Sequence, residues 1–126
     1  MSTQPSKQRV LLVDDNDDAR ELLHDLLSAH GYQIVSAHNG ATALQIAESF
    51  RPEVAVLDLG LPEMDGYELA RKLRLIEGLE HIRLVALTGY GTESDRKRSY
   101  EAGIDEHLVK PIAVASLTRS FAGDEA

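Results

Sequence analysis

The sequence contains no cysteine. A disulfide framework, a thiolate zinc centre and a cysteine nucleophile are therefore all excluded, and stability must come from packing. Long hydrophobic runs are also missing: no apolar stretch approaches the ~20 residues of a membrane-spanning helix. The N-terminal residues 1–8 are polar and carry Pro5, without the apolar core of a signal peptide. Positive charge is in short supply, with 13 Lys and Arg against 21 Asp and Glu and a formal net charge of −8. That balance disfavours phosphate backbones and anionic membranes, so neither nucleic acid nor a membrane is an expected direct partner. Concentrated in one place, the same acidity would favour a cation. What is present is a chain of 126 residues, 43% hydrophobic and 27% charged, the size and composition of one ordinary globular domain. The expected organisation is a loose N-terminal tail over 1–8, one domain over 9–122 and a short tail over 123–126.

From Val10 onward, short apolar runs alternate with helical patterns. Val10-Leu11-Leu12-Val13, Val54-Ala55-Val56-Leu57 and Leu84-Val85-Ala86-Leu87 are continuous rather than alternating, as strands buried on both faces are. Tyr32 to Ala37 and His107-Leu108-Val109 are more mixed, as edge strands are. Ala19, Leu22, Leu23, Leu26 and Leu27 recur at helical spacing and Gly31 follows as a stop signal, which predicts an amphipathic helix. Shorter helical patterns run over roughly 41–49, 67–75, 93–102 and 113–122. Five strand–helix pairs joined by right-handed crossovers predict an α/β fold, a (βα)5 three-layer sandwich around a doubly wound parallel five-stranded sheet. The expected order is 2-1-3-4-5, with strands one and three flanking the switch point. Ligands of such sheets bind beyond the carboxyl ends of the strands, so the residues leaving each strand are the ones to read.

The first strand exits into Asp14-Asp15, the third into Asp58, the fourth into Thr88 and the fifth into Lys110-Pro111. Each exit carries a group suited to phosphate, metal or proton chemistry. Three carboxylates converging within ~5 Å repel by about 3 kcal/mol per pair at an effective dielectric near 20. They need a cation, and an all-oxygen donor set of high charge suits Mg²⁺. Lys110 adds a fixed positive charge. Asp58, between metal and ammonium, could attack a phosphorus while both cations stabilise the transferring group. Thr88 can donate its hydroxyl to the product, and Gly89 leaves room for a bulky group.

Each residue also has a plainer explanation. Acids near a helix start stabilise it, which accounts for Asp17 and Asp18 with Asn16 or Asp17 as the cap. Asp14 and Asp15 precede the cap and are explained less well that way. Asp58 could start a turn, Thr88 could cap one, and Lys110 could be a solvated charge beside a helix-opening proline. Singly these explanations are adequate; their coincidence at four strand ends is not. His24, His30, His38, His81 and His107 show no metal-ligand pairing, and only His107 stands out, three residues before Lys110.

In this arrangement the chain resembles the receiver domain of two-component response regulators from Val10 to about Phe121. The resemblance rests on Asp14-Asp15, Asp58 with Leu61-Pro62 and Met64-Asp65-Gly66, Thr88-Gly89, and Gly103-Ile104-Asp105 leading to Lys110-Pro111. It implies a flavodoxin-like fold, Asp58 as the phosphoacceptor carrying 4-aspartylphosphate, and Asp15 and Asp58 as direct Mg²⁺ ligands. Asp14 would be a ligand through water, and the Gly60 carbonyl would complete the protein's share of the shell. Lys110 would pair with the phosphoryl group, with a cis Lys110–Pro111 bond, and Thr88 would be the switch hydroxyl. The second switch position, usually Tyr or Phe in this family, is His107 here, an imidazole that can be charged near neutral pH. The helix over 93–102 is polar nearly all round, so little burial would hold it in place.

The expected activity is acceptance of a phosphoryl group from a phosphohistidine, on a sensor histidine kinase or a histidine phosphotransfer domain, in the cytoplasm. It would catalyse only its own phosphorylation and dephosphorylation, as a monomer or a weak phosphorylation-dependent dimer. A Mg²⁺-dependent aspartyl-phosphate phosphohydrolase is less well matched, because that chemistry commonly wants a second acid where Gly60 stands. A flavodoxin-like mononucleotide binder should have a Ser-, Thr- and Gly-rich loop in place of Asp14-Asp15-Asn16-Asp17-Asp18. A docking domain with a degenerate site would not need the full Asp, Thr and Lys set. The end at Ala126 suits either a stand-alone relay or a receiver from a larger protein such as a hybrid sensor kinase.

Overall fold

The computed structural model describes residues 8–61, 63–89 and 93–121; the expected tails, apart from Gln8, lie outside that range. Five strands and five helices alternate: β1 (Arg9–Val13), α1 (Asp17–Ala29), β2 (Gln33–Ala37), α2 (Gly40–Phe50), β3 (Val54–Asp58), α3 (Gly66–Arg74), β4 (Arg83–Thr88), α4 (Glu93–Glu101), β5 (Glu106–Val109) and α5 (Val114–Phe121). The strands form one parallel sheet in the order β2-β1-β3-β4-β5, as the pattern predicts.

Successive side chains of a strand point to opposite faces, and this sheet uses both. Leu11, Val13, Ala55, Leu57, Leu84 and Ala86 pack with Ala43 and Ala47 of α2 and Leu69, Ala70 and Leu73 of α3. Val10, Leu12, Val54, Val56, Val85 and Leu87 pack on the other side with Leu27 of α1 and Leu117 and Phe121 of α5. Two covered faces explain why the three central runs are continuously apolar. The outer strands β2 and β5 keep partly exposed residues, which explains their mixed sequences.

The helix starts are set by local chemistry. Asn16, Asn39 and Asp65 sit in extended conformation, and their side chains accept from the N–H groups of Ala19, Thr42 and Glu68, satisfying donors that the first turn leaves open. Asn16 is therefore the cap of α1, which leaves Asp14 and Asp15 ahead of it. Gly31 takes φ +97° just past His30, which caps the end of α1, the left-handed conformation that glycine adopts without strain. Among the described α4 side chains, Ser99 alone is buried.

Candidate functional site

The carboxyl ends of β1, β3, β4 and β5 form one rim, and the backbone ladder continues past the strands to fix it. The Asp14 N–H donates to the Ala37 carbonyl at 3.2 Å, that of Leu59 to Leu87 at 3.1 Å, and that of Lys110 to Thr88 at 2.7 Å. Asp58 stands opposite Leu87, and Thr88 opposite Val109. One carboxylate oxygen from each of Asp14, Asp15 and Asp58 falls within 4.8 Å of the others. Asp14 is buried, Asp58 half-buried and Asp15 exposed, so the cluster opens to solvent on one side.

Each acid is held in place. The Asn16 N–H donates to Asp14 Oδ1 at 2.9 Å, and the Arg20 guanidinium donates to the Asp14 carbonyl at 2.9 Å. The Gly60 N–H donates to Asp58 Oδ1 at 2.8 Å, and Lys110 Nζ approaches Asp58 Oδ2 at 3.3 Å. The Asp58 carboxylate thus presents one oxygen to a backbone donor and the other to an ammonium. Burial is the main force raising the Asp14 pKa above the ordinary carboxylate value, with the Asp58 charge adding to it; the Asn16 N–H and Lys110 act in the opposite direction. A carboxyl pushed up in this way gains most from a cation that relieves the repulsion. Cation affinity is what the donor set can supply chemically, together with a carboxylate oxygen beside a fixed positive charge.

The remaining residues singled out in the sequence also lie on the rim. Thr88 is buried at the end of β4. Among the described residues, a methyl group added at Gly89 would meet nothing within 4 Å. The Lys110–Pro111 peptide bond is cis. His107 is buried on β5, and its Nδ1 lies 2.9 Å from the Ser99 hydroxyl of α4. Other histidines serve local contacts: His24 with Ser36 and His30 with the Leu26 carbonyl.

Three features were not read from the sequence. Ser99 as the partner of His107 is one; its only signal is a small neutral residue within a charged helix. The second is the apolar groove of about 540 Å³ beside the acids, lined by Leu22, Leu23, Leu26, Pro111, Ile112 and Val114 together with Asp14 and Lys110. Leu22 and Leu26 lie on the predicted apolar stripe of α1, yet Leu22 is 61% exposed. The third is a cleft of about 290 Å³ bordered by Asp58, Gly60, Tyr67, Thr88, Gly89, Asp95 and Arg98.

Comparison with known proteins agrees with this geometry. The sequence model described as "Response regulator receiver domain" matches residues 10–122. The polar-differentiation response regulator DivK of Brucella anthropi is 33% identical over 118 residues, covering 91% of this chain and 96% of that protein. The receiver domain of the sensor histidine kinase PA1611 from Pseudomonas aeruginosa superposes with a TM-score of 0.84 at 31% identity, over 93% of this chain and 96% of that one, and carries a magnesium ion coordinated in its active site cleft. A response regulator from Burkholderia pseudomallei, with a phosphorylated aspartic acid and a calcium ion, matches 91% of this chain and 66% of its own, with a TM-score of 0.84 at 29% identity. With its five-stranded order, its acidic rim and these matches, the chain belongs to the receiver-domain family of two-component response regulators.

Proposed function

We propose that Asp58 is the phosphoacceptor of this receiver domain and that Asp14, Asp15 and Asp58, with the Gly60 carbonyl, hold Mg²⁺. The observation that carries the reading is the joint placement of three acidic oxygens within 4.8 Å and Lys110 Nζ 3.3 Å from Asp58. The donor set fits a hard divalent ion, which takes a few carboxylates and keeps waters for the rest of its shell. When bound, Mg²⁺ would supply charge neutralisation for the incoming phosphoryl oxygens. An Asp58 carboxylate oxygen forms the new bond to phosphorus while the phosphorus–nitrogen bond of a phosphohistidine breaks, and the imidazole leaves with the electron pair. Lys110 pairs with the transferred group, and the Thr88 hydroxyl donates to it. The domain then spans 9–122 and turns over no separate substrate.

The partner is a histidine kinase or a histidine phosphotransfer domain. The apolar groove supports this choice because Asp14 and Lys110 line both it and the acidic site. An apolar helix face carrying the phosphohistidine, laid along Leu22, Leu26 and Ile112, would bring its phosphorus to Asp58. No helix of the described residues is long and apolar enough to cross a membrane, and the expected setting is the cytoplasm, with the chain monomeric or weakly dimeric when phosphorylated. His107, tied to α4 through Ser99, is the element that follows Thr88 when the phosphoryl group draws the hydroxyl inward. Incubation with acetyl phosphate, with and without Mg²⁺, followed by intact mass measurement tests the reading. The expected result is a gain of one phosphoryl group that needs Mg²⁺ and is abolished in Asp58→Asn; an equal gain in that variant would refute it.

A further inference from the structure

We infer that Arg98 of α4 is a second cation for the phosphoryl group, facing it from the side opposite the metal-binding acids; this rests on Asp58 being the acceptor. Arg98, Asp58, Thr88 and Gly89 border the same cleft, and among the described residues the space over Gly89 is open. The guanidinium lies over the Tyr67 ring, 4.2 Å from its centroid. It also sits 3.7 Å from Asp65 Oδ2, with both side chains about half exposed.

Both of these contacts are weak. An exposed ion pair at that separation is screened by water, and although the Tyr67 ring is buried, the guanidinium over it is itself exposed to water and gains little more. A phosphoryl group on Asp58 brings between one and two negative charges and oxygens that match the planar donor fork of arginine. It would outcompete Asp65. In the unphosphorylated chain, Asp65 and Tyr67 hold Arg98 at the cleft edge. Once Asp58 is modified, Arg98 turns onto the phosphoryl oxygens, shields the acyl phosphate from water and draws α4 with it. Little burial opposes that motion, since Ser99 is the one buried side chain among those described in α4.

A purely mechanical role, in which Arg98 only braces α4 against α3, makes a different prediction. Asp65 also caps α3 through Oδ1, which accepts from the Glu68 N–H at 2.9 Å. Asparagine caps equally well, so Asp65→Asn removes the ion pair and keeps the helix start. The test is the decay of the phosphorylated protein after acetyl phosphate is removed, followed by intact mass in the wild type, Arg98→Ala and Asp65→Asn. The inference expects Arg98→Ala to lose the group about three- to tenfold faster, the effect of one net hydrogen bond at a partly exposed site, and Asp65→Asn to lose it no faster than the wild type. Equal acceleration in both variants would assign Arg98 a bracing role only. Decay of Arg98→Ala within about 1.5-fold of the wild type, a difference too small for such a contact, would overturn the inference outright. A wild type that gains no phosphoryl group would instead refute the acceptor assignment beneath it.

Discussion

Replacing Asp14 by asparagine should make the metal-free protein more stable. The three acidic oxygens lie within 4.8 Å of one another, which corresponds to about 3.5 kcal/mol of repulsion per pair at an effective dielectric of about 20 and about 1 kcal/mol in bulk water. The open side of the cluster and the attraction of Lys110 reduce the net effect, so the expected gain for Asp14→Asn is about 1–3 kcal/mol. The side-chain oxygen can still accept from the Asn16 N–H, and the new amide can donate towards Asp58. At roughly 4 °C per kcal/mol for a chain of this size, Tm should rise by about 4–12 °C in chelator. Mg²⁺ should remove most of that advantage, since at a hundred times its dissociation constant a ligand stabilises by about 2.7 kcal/mol and the variant lacks one carboxylate. The gain should also depend on pH. Because the folded state raises the Asp14 pKa, it binds this proton more tightly than the unfolded chain does. Protonation therefore favours folding, and the benefit is lost as pH rises from the ordinary value of 3.8 through the raised one. The stability advantage of the variant should widen across that window. Thermal unfolding in chelator and in Mg²⁺, over a pH series, measures all of this. A variant no more stable than the wild type without metal, or one stabilised equally by Mg²⁺, would refute the reasoning.

Leu22→Asp should slow transfer from a phosphohistidine donor at least tenfold while leaving phosphorylation by acetyl phosphate near wild type, because the groove wall is polar-tolerant in the free protein but covered in the complex; stopped-time transfer assays with both donors distinguish the two. Ser99→Ala should cost about 1–2 kcal/mol in urea unfolding by removing a buried partner of His107, and should speed amide exchange in α4 and β5. Arg74→Ala should cost about 2–3 kcal/mol, since that guanidinium donates to the Gly103 and Glu80 carbonyls and to Asp105, joining the end of α3 to the loop before β5; equilibrium denaturation checks it.

The fold was legible wherever one residue type has one physical use. Continuous Val, Leu and Ala runs mark strands covered on both faces, and the capping residues mark helix starts, so the order of elements follows from the chain itself. Where the pattern is degenerate, the sequence says less. The apolar stripe of α1 gives no sign that Leu27 enters the core while Leu22 remains exposed; spacing marks a face, and only the width of the sheet beneath decides how much of it is covered. The left-handed conformations of Arg51 and Glu63 fall on residues without the preference for φ > 0 that would flag them. Arg98 is one charge in a helix of charges, and its neighbours Asp65 and Tyr67 come from the cap and first turn of α3, 31 or more positions earlier in the chain.

The site was more legible than the surfaces around it for a reason rooted in sheet geometry. Neighbouring strands run about 4.7–4.9 Å apart, close to the spacing at which carboxylates can share one ion. Once β1 and β3 are adjacent and in parallel register, with Val13 opposite Leu57, the residues that follow them must emerge side by side. Asp14 and Asp58 therefore meet because of the pairing, and Lys110 reaches Asp58 because β4 lies between β3 and β5 and its backbone fixes Lys110 through Thr88. The strand order turns four scattered positions into one row. Sequence reasoning needs only that order to find the row, whereas the groove and the Arg98 cleft depend on how helices tilt and cover one another, which no single spacing encodes. It follows that conservative apolar exchanges inside the sheet should leave the row in place, since the core tolerates them, whereas a one-residue slip between β1 and β3 would turn Asp14 to the opposite face and remove it from the row.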